Sequence, residues 1–228
     1  MCVHGGGFIR GDKANRANAG WYFARHGIVT VVPNYRLAPD GRWPSGPEDI
    51  VAALQWIRAH ADALGADPGR IVLMGESAGA AHVAAATLLT RFHPPGGLGI
   101  RGAILQSGPY DARLEGLARQ QFGIETPDPR NEVYFGTEPA DWAAGSIVDH
   151  IDAAPLPLLI GWAERDHLQM QVQAGELFAR LVRDHGFAPE LLFVRDHNHF
   201  SQTVSLNTGD ESVGAPVRDF IARHAAAA

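Results

Sequence analysis

The sequence is poor in the residues that announce several common roles. It has one cysteine, Cys2, so no intramolecular disulfide can form. A lone thiol in an apolar stub fits a reducing compartment and argues against a reactive cysteine. It has one lysine, Lys13, so arginine carries almost all the positive charge, and the formal net charge is −6. That balance excludes the basic footprint of a nucleic-acid-binding protein. No apolar run approaches the roughly 20 residues needed to cross a bilayer. No stretch reads as a secretory leader, and a cytoplasmic protein is expected. Hydrophobic residues at 46% and charged residues at 19% suit a globular chain, and 228 residues suit one domain spanning 1–228.

What the sequence does contain is a series of short apolar runs separated by helical periodicities. Residues 71–74, 103–105, 156–161 and 191–194 read as strands, and 28–33 reads as a further strand buried on both faces because it is β-branched with little alternation. Pro157 limits the ladder at the start of its strand. Helices are expected over 13–26, with Ala17, Trp21 and Ala24 at helical spacing, and over 48–64, with Val51, Leu54, Ile57 and Ala61 on one face. Others follow Ser77 to about Arg91, span 168–185 with Leu177, Phe178, Leu181 and Val182 inward, and close the chain over 213–224. Strands alternating with helices define an α/β fold, a mostly parallel sheet flanked by helices. Residues 109–153 are less regular and read as a small cap-like insertion. There Phe122, Tyr134, Phe135 and Trp142 either cover a site or fill a satellite core.

Gly75-Glu76-Ser77-Ala78-Gly79 joins the strand at 71–74 to an alanine-rich helix. Strand, G-x-S-x-G and helix together describe a nucleophile elbow, in which a tight turn lifts a serine hydroxyl above the sheet edge. His4-Gly5-Gly6-Gly7-Phe8 is a glycine run able to bring backbone N–H groups close to a ligand. In parallel sheets ligands bind beyond the carboxyl ends of the strands. The glycine run, Ser77, Asp166 and the pair His197/His199 each follow a strand, so they converge on one edge. A serine hydroxyl needs a base to activate it and an acid to orient that base. Ser77, Asp166 and His199 supply a hydroxyl, an acid and a base in the order serine, acid, histidine, which resembles that of the α/β-hydrolases. The histidine pair has no further ligands nearby in sequence, so neither a metal nor a cofactor is expected.

These residues resemble the hormone-sensitive-lipase-like branch of the α/β-hydrolase carboxylesterases. The matching motifs are His-Gly-Gly-Gly at 4–7, Tyr-Arg-Leu-Ala-Pro at 35–39, Pro47-Glu48-Asp49 with Trp56 on the following helix, and Gly-Glu-Ser-Ala-Gly at 75–79. The match is specific to about residue 90 and looser beyond it. The resemblance implies Ser77 as nucleophile, Asp166 as acid in preference to Glu164, and His199 as base in preference to His197. It implies an oxyanion hole from the N–H groups of Gly6, Gly7 and Ala78, with His4 bracing the loop. Phe8, Tyr110 and Phe200 are the expected substrate contacts. Arg36 with Glu48 or Asp49 is expected to be a structural pair, which Glu76 could join.

The implied activity is hydrolysis of small or medium carboxylic esters through an acyl-enzyme. An arylformamidase-like amide hydrolase uses the same machinery, and a non-catalytic binding protein on this fold is the alternative of another class. The chain departs from the family in one respect: it begins inside the third strand, so the first two strands and the N-terminal cap are expected to be missing. The strand at 28–33 would then be an edge, covered by a loop or by a second copy in a homodimer, unless the sequence is a fragment of a longer product.

Overall fold

The computed structural model describes residues 1–114 and 129–226. Five strands form one parallel sheet in the order β1 (Cys2–Val3), β2 (Val72–Glu76), β3 (Gly102–Gln106), β4 (Leu158–Arg165) and β5 (Glu190–Asn198). Every residue of β2 and β3 is buried, which is why both read as continuous apolar runs without alternation. The ladder of β4 begins one residue after Pro157, whose carbonyl accepts from Ala103 N–H at 3.0 Å.

Helices cover both faces. The described helices are α1 (Ala17–Ala24), α2 (Ser45–Ala59), α3 (Ala61–Leu64), α4 (Ala78–Leu88), α5 (Pro129–Phe135), α6 (Pro139–Gly145), α7 (Leu168–His185), α8 (Ser201–Val204) and α9 (Gly214–His224). Ile50, Leu54 and Ile57 of α2, all of α4, and Leu177 and Leu181 of α7 build the larger core. Tyr22 and Phe23 of α1 and Val217 and Phe220 of α9 build the smaller one on the opposite face. Helix α4 is buried on every side, and its alanines let it lie close to the sheet.

Three sequence expectations need correction. Residues 28–33 form no strand and are half-buried to exposed, with Val29 47% exposed. Their neighbour β1 is only two residues long, Pro33 has no N–H to offer, and the pairing reduces to Cys2 N–H donating to Val31 O at 2.9 Å. In the first helix the buried residues are Ala19, Tyr22 and Phe23, and Trp21 points to solvent; a single-turn 3₁₀ segment over Lys13–Arg16 precedes α1 and shifts the phase. In α7, Leu177 and Leu181 are buried, whereas Phe178 is peripheral and Val182 exposed. Of the aromatics in 109–153, Tyr134 and Phe135 are buried in the main core and Trp142 packs at its margin, while Phe122 lies outside the described residues.

His82 of α4 is enclosed by Phe8, Tyr35 and Tyr134, and neither ring nitrogen has a partner. Burial, with a smaller contribution from His4, pushes its pKa down from 6.5 to about 3. The folded protein therefore keeps this ring neutral while the unfolded chain takes up a proton below pH 6.5. Stability is undiminished above that pH and falls progressively between it and about 3. At roughly 1.4 kcal/mol per pH unit, the loss from this group is about 2 kcal/mol by pH 5. Urea unfolding of the wild type and His82→Asn at pH 7 and pH 5 checks this. The variant should show an acid loss smaller by that amount, and equal losses in the two proteins would contradict it.

Candidate active site

The site begins at the turn from β2 into α4. Ser77 has φ 49° and ψ −125°, a region that non-glycine residues occupy at a cost. The two flanking glycines explain how the turn fits. A Cβ on Gly75 would stand 2.3 Å from Gly79 O, and one on Gly79 would stand 2.4 Å from Val3 O. The serine is thereby held at the N-terminus of α4, with Ser77 N–H donating to Gln106 O at 2.8 Å.

Ser77 Oγ is 3.0 Å from His199 Nε2, and His199 Nδ1 is 2.7 Å from Asp166 Oδ1. The carboxylate side chain is wholly buried. It also accepts from His167 N–H at 2.9 Å, from Ala163 N–H at 3.3 Å and from the Ser107 hydroxyl. Burial alone would raise the Asp166 pKa. The hydrogen bond and charge of His199, then Ser107 and Ala163, outweigh it and hold the carboxyl below its ordinary value. The structure brings His199, not His197, to Ser77; the His197 ring lies instead between Ser201 Oγ, Ser212 Oγ and Asp210. Glu164 is also elsewhere, accepting from Asp196 N–H at 2.7 Å.

The glycine run lies across the cleft. Gly6 has φ 137°, Gly7 φ 59° and Phe8 φ 68°. Among the described residues none of the N–H groups of Gly6, Gly7 and Ala78 has a hydrogen-bond partner. The loop is held from behind by Gly5 N–H donating to Glu76 Oε1 at 3.0 Å, and by His4, whose Nδ1 lies 2.8 Å from Gly5 O and whose ring stacks on Tyr35 at 4.5 Å. Glu76 pairs with Arg16 and does not join the Arg36 pair. Arg36 forms its own surface pair, Nε lying 3.0 Å from Asp49 Oδ1 and Nη2 3.2 Å from Glu48 Oε2.

Ser77, His199, Gly6, Gly7 and Ala78 border a cavity of about 290 Å3. Phe200, 65% exposed, stands at its mouth; Phe8 contributes to its wall while its ring stacks on Tyr134 at 4.4 Å. Arg130 lies beside the loop, its Cδ 2.7 Å from where a Cβ on Gly7 would be. Tyr110 is a correction: it does not border the cavity, it is buried, and its hydroxyl accepts from Gly108 N–H at 3.3 Å. The ring folds back against Gly108, where a Cβ would stand 2.7 Å from it.

Several polar residues of the site escaped the sequence reading. Ser107 follows β3 at the same edge as the other groups, a position that could have pointed to it. Arg16, Gln202 and His167, whose ring centroid is 5.0 Å from that of His199, belong to no motif.

A model of the alpha/beta hydrolase fold family matches residues 1–202, and the chain belongs to that family. Esterase LipI of Mycobacterium tuberculosis (strain ATCC 25618 / H37Rv) is 34% identical over 160 residues, which are 68% of this chain and 48% of LipI. Carboxylesterase NlhH of Mycobacterium tuberculosis (strain CDC 1551 / Oshkosh) is 43% identical over 81 residues, 33% of this chain and 24% of NlhH. The match to LipI spans about half of that protein's length, and the match to NlhH about a quarter. In three dimensions the hyperthermophilic esterase from the archaeon Pyrobaculum calidifontis matches with a TM-score of 0.79 at 23% identity, over 99% of this chain and 76% of that one.

The Arg16–Glu76 pair makes a separable prediction. Removing the cation in Arg16→Met leaves a carboxylate that is 7% exposed without its countercharge, and should cost about 3 kcal/mol of stability in denaturant unfolding. The double variant Arg16→Met/Glu76→Gln should recover part of that loss, because no buried charge is then left alone. A double variant less stable than the single would show that the pair is not the relevant interaction.

Proposed function

We propose that this chain hydrolyses small or medium carboxylic esters through an acyl-enzyme formed on Ser77. The observation that carries the reading is the line from Ser77 through His199 to Asp166, at 3.0 and 2.7 Å, on a cavity also bordered by Gly6, Gly7 and Ala78, whose N–H groups have no partner among the described residues. His199 Nε2 takes the Ser77 proton as Oγ attacks the ester carbonyl. The resulting oxyanion accepts from the N–H groups of Gly6, Gly7 and Ala78, donors whose individual removal in such sites costs about 10²–10³ in rate. The imidazolium then gives its proton to the departing alkoxide. Water, activated by the same imidazole, attacks the acyl-serine and releases the acid. Asp166 stays ionised throughout and steadies the imidazolium.

Esterase LipI and Carboxylesterase NlhH support ester chemistry by their names, and the cavity of about 290 Å3 suits a small ligand. Phe8 and Phe200 are the proposed substrate contacts. In this reading the described residues of 109–153 act as a cap-like insertion in a single domain, with Arg130 and Asn131 of α5 on the cavity wall. Among the described residues no helix is long and apolar enough to cross a membrane. The free, buried Cys2 is compatible with the reducing cytoplasm.

Hydrolysis of p-nitrophenyl esters from acetate to laurate, with N-formylkynurenine as the amide control, tests the activity. The short esters should be turned over fastest, a fluorophosphonate probe should label the protein, and Ser77→Ala should abolish labelling and lower kcat by at least about 10³. Efficient turnover of the formamide with none of the esters would replace the reading by the amide one. We also place a second copy of the chain against residues 28–33, where Val29 stands exposed beside a cleft of about 300 Å3 whose mixed lining includes Phe23, Ile28 and Ile57 along with Asp67 and Arg70. Light scattering should then find a dimer that Val29→Arg converts to monomer; a monomeric wild type would remove this contact.

A further inference from the structure

Behind Asp166 a chain of side chains runs through the interior in one direction. Gln106 Nε2 donates to Gln202 Oε1 at 2.5 Å, Gln202 Nε2 donates to Ser107 Oγ at 2.6 Å, and the Ser107 hydroxyl donates to Asp166 Oδ2. The same Gln202 Nε2 donates to His199 O at 3.2 Å. Gln106, Ser107 and Gln202 are each no more than 1% exposed. The ionised carboxylate fixes every orientation. It can only accept, so Ser107 must donate to it. Ser107 must then accept from an amide N–H, which leaves the Gln202 carbonyl to accept from Gln106.

We propose that Gln202 is a positioning residue for the site: one amide nitrogen ties the loop carrying His199 to the hydroxyl that holds Asp166. The role rests on the reading of Ser77, His199 and Asp166 given above. Two costs in the structure argue that the chain is kept for this purpose and not for packing. Gln106 Oε1 is buried without a partner, a loss that a leucine of similar size would avoid. Ser107 has φ 51°, where glycine would sit without strain, yet only a side chain can reach Asp166. The aligned donors also polarise one another toward the carboxylate. As the imidazolium forms and disappears, both of its supports are anchored to the same amide, so acid and base keep their separation.

The test compares Gln202→Leu, Ser107→Gly and the double variant with the wild type and with Ser77→Ala. Loss of one charge-assisted contact in the chain should lower kcat by about tenfold in each single variant, with KM within about twofold. The double variant should be no slower than the slower single one, because both break one unit. The far-downfield proton resonance of the His199–Asp166 hydrogen bond should shift or broaden in Gln202→Leu. Ser107→Gly removes backbone strain along with the hydroxyl, so its loss of rate should come without loss of thermal stability, and it keeps the test open if Gln202→Leu does not fold. Wild-type kcat with an unchanged resonance in the variants, or multiplicative losses in the double, would overturn the proposal. Should Ser77→Ala retain wild-type turnover, the hydrolase reading itself falls; should it be inactive while Gln202→Leu is unaffected, only the positioning role falls.

Discussion

The site depends on how closely α4 approaches the sheet. Gly79 lies so near Val3 and His4 that a Cβ would stand 2.4 and 2.5 Å from their carbonyl oxygens. That contact does two things at once. It forces the chain between Gly75 and Gly79 to turn sharply, which puts Ser77 at positive φ, and it fixes the distance from the serine to the glycine loop that leaves β1. Ser77 and the backbone amides of the glycine run are therefore set relative to one another by main-chain packing. The side chains that join them from β4 and β5 need only reach an already defined point.

Two buried carboxylates flank that point and are stabilised differently. The Glu76 side chain is 9% exposed and that of Asp166 wholly buried. The former is neutralised by a cation, Arg16, and spends its other contact on Gly5 N–H. The latter has no arginine or lysine partner among the described residues; its charge is spread over two backbone N–H groups, a hydroxyl and the imidazole. A fixed cation beside Asp166 would compete with the imidazolium for the carboxylate. Neutral donors hold its charge without that competition.

Much of this was legible in the sequence because the chemistry sits at strand ends. The apolar runs that became β2, β3, β4 and β5 each terminate in a polar residue of the site, and the parallel order places those termini together. The glycine positions could be read because backbone contact, not side-chain choice, determines them. What failed to show was set by tertiary context. The run 28–33 has the composition of a central strand, but composition does not reveal that β1 offers it a single backbone hydrogen bond among the described residues. Trp21 and Val182 obeyed helical spacing and still faced solvent, because the phase was decided by the neighbours of α1 and α7. Gln202 and Arg16 meet residues far away in sequence, and neither position carries a local signal. Tyr110 occupies an edge position, yet its ring turns inward.

The brevity of β1 has a further meaning. Only Cys2 and Val3 pair with β2, supplemented by the contacts of Met1 with Val72 O and Met74 N–H at 2.9 and 2.8 Å, and the glycine loop hangs from this short anchor. The serine, in contrast, leads into α4, every residue of which is buried. The two halves of the cradle thus differ in local rigidity. One half is carried by a helix packed on all sides, the other by a two-residue ladder together with the Gly5–Glu76 and His4–Tyr35 contacts.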